Sequence, residues 1–132
     1  MKVLLDANVV VAAFAARGLC ESLFELCLDS HELVLSEHLL GEIRRNLIKK
    51  VKLPPSGADD VVAFLRENSS IVKPVSLPKN VCRDADDVKV LGAAIAGDVG
   101  CIVTGDKDLL VLDQFRSIPI MTRGNFSRSL QG

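Results

Sequence analysis

Four acidic residues, Asp6, Glu42, Asp87 and Asp106, are scattered along most of the chain, yet each adjoins a segment apolar enough to enter a common core. An isolated buried carboxylate is costly, so several at the edge of one hydrophobic sheet imply either shifted protonation or a bound cation. Carboxylates suit hard, oxygen-preferring ions such as Mg²⁺ and Mn²⁺. One or two divalent ions held there would activate water and offset charge on a substrate's oxygens.

The elements that must position these acids alternate in the manner of an α/β domain. Lys2–Leu5 reads as a buried strand, and Asp6 opens a helix to about Ala16 that Arg17-Gly18 ends. A helix over Glu21–Leu28, a strand over Glu32–Leu35 and a long helix from Ser36, its N-cap, to the end of HLLGEIRRNLIKK follow. Pro54-Pro55 closes that helix; Asp59–Asn68 reads as the next, and Ile71–Val75 as a strand running into a proline-marked loop. A helix over Asp86–Ala96, a strand over Cys101–Thr104, a helix over Lys107–Asp113, a strand near Ile118–Met121 and a loop-like tail with a brief helical turn complete the reading. The expected class is α/β, with residues 1–132 forming one domain.

In open sheets of this kind ligands sit beyond the carboxyl ends of the strands. Asp6 directly follows the first strand, and Asp106 follows Cys101–Thr104 after one glycine, so both belong to that rim. Helical phase places the others. At 100° per residue, Asp87 lies about 40° from Leu91 on the apolar stripe of its helix, whereas Asp86 lies about 140° away, facing solvent or capping the helix. In the long helix Leu39, Leu40, Ile43, Leu47 and Val51 form the apolar face, and Glu42 borders it on the side shared with His38 and Asn46. Each acid also has an ordinary explanation as an N-cap, a turn residue or a solvated helix residue; four such coincidences at one rim are much rarer than one.

Of the 132 residues 48% are hydrophobic and 25% charged, a globular balance, and the scarcity of aromatics (4%) makes the core aliphatic, as buried parallel strands require. A formal net charge of −1 does not announce a nucleic-acid binder, but a carboxylate cluster lowers that total and local distribution matters more. Cys20, Cys27, Cys82 and Cys101 lack C-x-x-C pairing and read as free thiols in a reducing cytoplasm. Asp6 and Asn8 interrupt any leader-like run at the start, and no stretch approaches the ~20 apolar residues of a membrane span. A cytoplasmic, membrane-free protein is expected.

The segments LLDANVVVAA, SEHLLGEI, DADDVKVLGAAIA and VTGDKDLL resemble, in order and spacing, the four acidic motifs of the PIN-domain nuclease family, especially its compact VapC-like toxins. The resemblance spans nearly the whole chain and implies a three-layer α/β/α sandwich with a mainly parallel sheet. It implies a site for Mg²⁺ or Mn²⁺ and endoribonuclease activity, with Asp6, Glu42, Asp87 and Asp106 as catalytic and metal-binding acids and Asn8, Thr104 and Asp108 as auxiliary polar positions. It also implies an RNA substrate, a cognate antitoxin and a homodimer.

A polyanionic substrate needs cations that the acids do not supply. Arg44 to Lys52 carries five basic residues and no acid, so Arg44, Arg45, Lys49 and Lys50 are candidate phosphate contacts; Arg116, Arg123 and Arg128 populate the tail. His31 and His38 lack a metal-ligand partner at motif spacing and read as ordinary polar residues. No phosphate-binding glycine loop, dinucleotide fingerprint or serine elbow is present. One alternative is a non-catalytic module that binds metal or RNA. A haloacid-dehalogenase-type phosphatase is the other, but it needs an acid where this chain has Asn8.

Overall fold

A computed structural model describes residues 1–15 and 19–131, with side chains at 19–23, 26, 130 and 131 outside that description. The expected stop at Arg17-Gly18 and the side chain of Cys20 therefore lie outside the described residues. The strands are β1 (Lys2–Leu5), β2 (Glu32–Ser36), β3 (Ser70–Val72), β4 (Cys101–Val103), β5 (Gln114–Phe115) and β6 (Ile118–Met121). The helices are α1 (Ala7–Ala15), α2 (Leu19–Ser30), α3 (Glu37–Lys49), α4 (Pro55–Asn68), α5 (Ala85–Gly97), α6 (Lys107–Leu110) and α7 (Arg123–Gln131).

The sheet runs β3-β2-β1-β4-β6-β5, parallel throughout except for the antiparallel edge pair β5–β6. Right-handed crossovers put α1 to α4 on one face as the chain steps from β1 out to β3, and α5 on the other as it returns to β4. The contacts agree: α1 packs on both α2 and α3, and α3 on α4, whereas α5 packs on β2 and β3. Strand order therefore reverses at the β1–β4 pair, whose register aligns Leu5 with Val103, and the crevice at such a switch point is where an α/β sheet binds ligands.

The core is aliphatic, as composition requires. Leu4, Leu5, Leu33, Leu35 and Ile102 fill the sheet, and Leu39, Leu40, Ile43 and Leu47 form the buried stripe of α3. Ser36 caps α3 by accepting from the Leu39 N–H (3.2 Å). Cys27, Cys82 and Cys101 are free and buried, and no described helix is long and apolar enough to cross a membrane.

Four elements differ from the reading of the sequence. The strand expected over Ile71–Val75 is Ser70–Val72, because Val75 turns its N–H to the Gly92 carbonyl of α5 and not to the sheet. α4 starts at Pro55, not Asp59, because proline fits the first helical turn, where an N–H has no partner to lose. The helix expected over Lys107–Asp113 stops at Leu110 and gives way to the β5–β6 hairpin, whose two-residue turn holds Arg116 (φ 48°) and Ser117 (φ 71°) in the left-handed region. Finally, the tail is a helix, α7, anchored by the fully buried Phe126.

Candidate active site

Asp6 ends β1, and its N–H continues the parallel ladder by donating to the Val103 carbonyl on β4 (3.0 Å). Only 8% exposed, its carboxylate accepts from the Ala7 N–H at 2.8 Å and from the Thr104 hydroxyl at 2.7 Å. The Thr104 oxygen in turn accepts from the Asp106 N–H (3.0 Å), so its proton is directed at Asp6. A single polar chain thus runs from the end of β4 to the end of β1. Burial pushes the Asp6 carboxyl above its usual range; the bonds from Thr104 and Ala7 oppose that, and the charge of Asp106 adds to it.

Asp106 caps α6 by accepting from the Asp108 N–H (2.8 Å). Asp84 likewise caps α5, accepting from the Asp86 N–H, so the helix delivers Asp87 inward one turn from its start. Asp87 is 5% exposed, and its Oδ2 is buried without a hydrogen-bond partner. Desolvation first, then the neighbouring Asp106, then Asp84 and Asp6, push its carboxyl up to about 8. Oxygens of Asp84, Asp87 and Asp108 lie within 4.8 Å of one another.

Glu42 reaches the same rim from α3. Its Oε1 lies 2.6 Å from His38 Nε2, with neither atom in hydrogen-bonding geometry, and His38 Nε2 is also 3.4 Å from Asp86. Burial raises the Glu42 carboxyl, His38 counters it, and Asp6 and Asp86 raise it further. The electrostatic field of the rim is therefore shared by all four expected acids, although the tight clusters divide into His38–Glu42–Asp86 and Asp84–Asp87–Asp108.

The sequence reading set His38 aside as an ordinary polar residue, yet it joins α3 to α5 across this rim. The signal available was its spacing of four from Glu42, which puts both on one face of α3. Asp86 is 62% exposed, consistent with its helical phase, but it faces His38 while Asp84 provides the cap. Asn8 turns to α3, accepting from Asn46 (3.4 Å) and Lys50 (3.3 Å). Of the expected phosphate contacts, Arg44 is paired with Asp59 (2.7 Å), Lys50 abuts Asn8, and Arg45 and Lys49 are exposed.

A family model of the PIN domain matches residues 2–108, a span that contains every acid of this rim. The chain belongs to the PIN-domain family. No curated protein matches it by sequence. Among solved structures, the PIN domain described here is similar to a chain of VapBC2 from Rickettsia felis, crystallised bound to a DNA fragment from their promoter. The two are 14% identical with a TM-score of 0.62, over 91% of this chain and 97% of that one, a likeness of fold.

The donor set suits a hard divalent cation. The rim offers carboxylate oxygens, and the orphaned Asp87 Oδ2 is a buried acceptor that a cation would satisfy. Burial first, and then repulsion among the acids, raises these carboxyls, and a bound cation would offset both.

Proposed function

We propose that this PIN domain is a divalent-metal-dependent endoribonuclease and the toxin of a toxin–antitoxin pair. The observation that carries the nuclease reading is Asp87: a buried carboxylate with an unpartnered oxygen, facing Asp106 and Asp6 at the switch point of a parallel sheet. Asp6, Asp87 and Asp106 would hold Mg²⁺ or Mn²⁺, with Glu42 as a further ligand or the group that positions water. When bound, the cation supplies an activated water and offsets charge on the phosphoryl and leaving oxygens.

The protein's own residues have separate tasks. Thr104 fixes the rotamer of Asp6 and ties it to the Asp106 backbone, so the two strand ends keep their spacing. Glu42, with its proton affinity raised by burial and tempered by His38, would accept a proton from water at the rim. Asp108, clustered with Asp84 and Asp87, and Asn8, turned to α3, would orient water or substrate. Arg45, Lys49 and Lys50 would contribute phosphate contacts that carry no sequence information.

The antitoxin reading rests on the structural neighbour's being a VapBC complex, together with the fold likeness. A homodimer and a cytoplasmic setting belong to the same reading. Incubating the purified chain with RNA in Mn²⁺ tests the nuclease assignment: cleavage is expected, with loss in EDTA and in Asp6→Asn. Equal cleavage by Asp6→Asn would sink it. Co-expression with the product of a neighbouring small gene, followed by co-purification, tests the partner.

A further inference from the structure

Beside the acid rim lies an open groove of about 730 Å³. Lys73 and Lys79 line it from the segment after β3, Arg83 from the turn before α5, and Lys89 from α5 itself. No acid lines it. All four cations are exposed, and none forms an ion pair among the described residues, whereas Arg44 and Arg66 elsewhere are paired with Asp59 and Glu37. The groove reaches His38, which touches Glu42, so it opens on the acid rim.

We propose that this groove is the track along which single-stranded RNA reaches the acids. The inference rests on the nuclease reading of the adjoining rim and moves the main phosphate contacts from α3 to the opposite side of the site. A polyanion approaching several carboxylates is repelled, and unpaired cations immediately beside them are what offset that repulsion. Cations on both walls would hold the phosphates. The lining residues Pro74, Val75, Leu77 and Val88 offer bases apolar contact, with no aromatic among the described lining to stack on. Binding there would consequently be tolerant of sequence.

The test compares the full chain with the combined variant Lys73→Ala, Lys79→Ala, Arg83→Ala, Lys89→Ala. Binding of a fluorescent single-stranded RNA is measured in EDTA over a range of salt. Hydrolysis of bis-p-nitrophenyl phosphate, too small to span the groove, is measured in Mn²⁺. The variant is expected to bind RNA about tenfold or more weakly, with a salt slope shallower by up to roughly 3, as loss of four phosphate contacts to a single strand requires. Its hydrolysis of the small diester should equal that of the parent. Unchanged RNA affinity and slope would overturn the proposal. So would unchanged RNA binding with lost binding of poly-glutamate, which would assign the groove to an acidic peptide. Failure of the parent to hydrolyse the small diester would count against the nuclease reading, while the RNA comparison, made without metal, would still decide the groove.

Discussion

At the scale of single residues, the site depends on where each polar atom finds a partner. Thr104 is 1% exposed and sits between two acids, receiving from the Asp106 backbone and giving to Asp6. Thr104→Val keeps the shape and removes both bonds, leaving a buried Asp6 oxygen short of a donor. Urea unfolding should show a loss of about 1–3 kcal/mol; no loss would mean that water replaces the hydroxyl. Asp87 has the opposite problem, an oxygen with nothing to accept from. Asp87→Asn removes a carboxyl whose charged form burial and then the neighbouring acids disfavour, so above about pH 8 the metal-free protein should melt at a higher temperature than the parent. A lower melting temperature would show that the carboxylate is satisfied without a cation.

At the scale of elements, close approach and anchoring decide what the sequence could reveal. The segment after β3 is clamped to α5, with the Val75 N–H donating to the Gly92 carbonyl at 3.1 Å. A Cβ on residue 92 would collide with the Val75 carbonyl oxygen, so Gly92→Ala must push that segment, one wall of the basic groove, off the helix. A cost of about 1–3 kcal/mol is expected in chemical unfolding. Phe126→Ala should cost about 3–5 kcal/mol, because α7 is docked by that one fully buried ring. β1, β2, β4 and α3 were legible because the three strands carry aliphatic runs and α3 repeats Leu39, Leu40, Ile43 and Leu47 at helical spacing. The residues of α7 include Gly124, Asn125, Ser127 and Ser129, weak helix formers whose helix depends on a tertiary contact that no local pattern displays. The β5–β6 turn was hidden for a related reason: Arg116-Ser117 lacks the Asn-Gly signature that positive φ usually selects.

At the scale of the whole molecule, charge couples the acid rim to stability. The Asp87 carboxyl is raised from 3.8 to about 8, and those of Asp6 and Glu42 are raised as well. In each the fold favours the protonated form. Their contribution is therefore present in full below the ordinary carboxylate range and is lost as pH climbs through the raised values. The metal-free protein should accordingly lose thermal stability as pH rises toward about 8, and millimolar Mn²⁺ should reverse most of that loss by binding the ionised acids. A melt equally indifferent to pH and to Mn²⁺ would show that the carboxylates are solvated independently.

The convergence of Asp6, Asp87 and Asp106 on one rim was legible, since strand ends and helical phase fix direction without knowledge of packing. The roles of His38 and of the basic groove were not, because both arise from α5 and the segment before it meeting α3 only in three dimensions. The central claim is that the buried acid of α5, rather than its exposed neighbour, belongs to a metal-dependent nuclease site. RNA cleavage in Mn²⁺ by Asp87→Asn and Asp86→Asn, measured side by side with the parent, tests it most directly. Asp87→Asn should lose activity by on the order of a hundredfold, with Asp86→Asn staying close to the parent; equal activity in all three proteins would contradict the account.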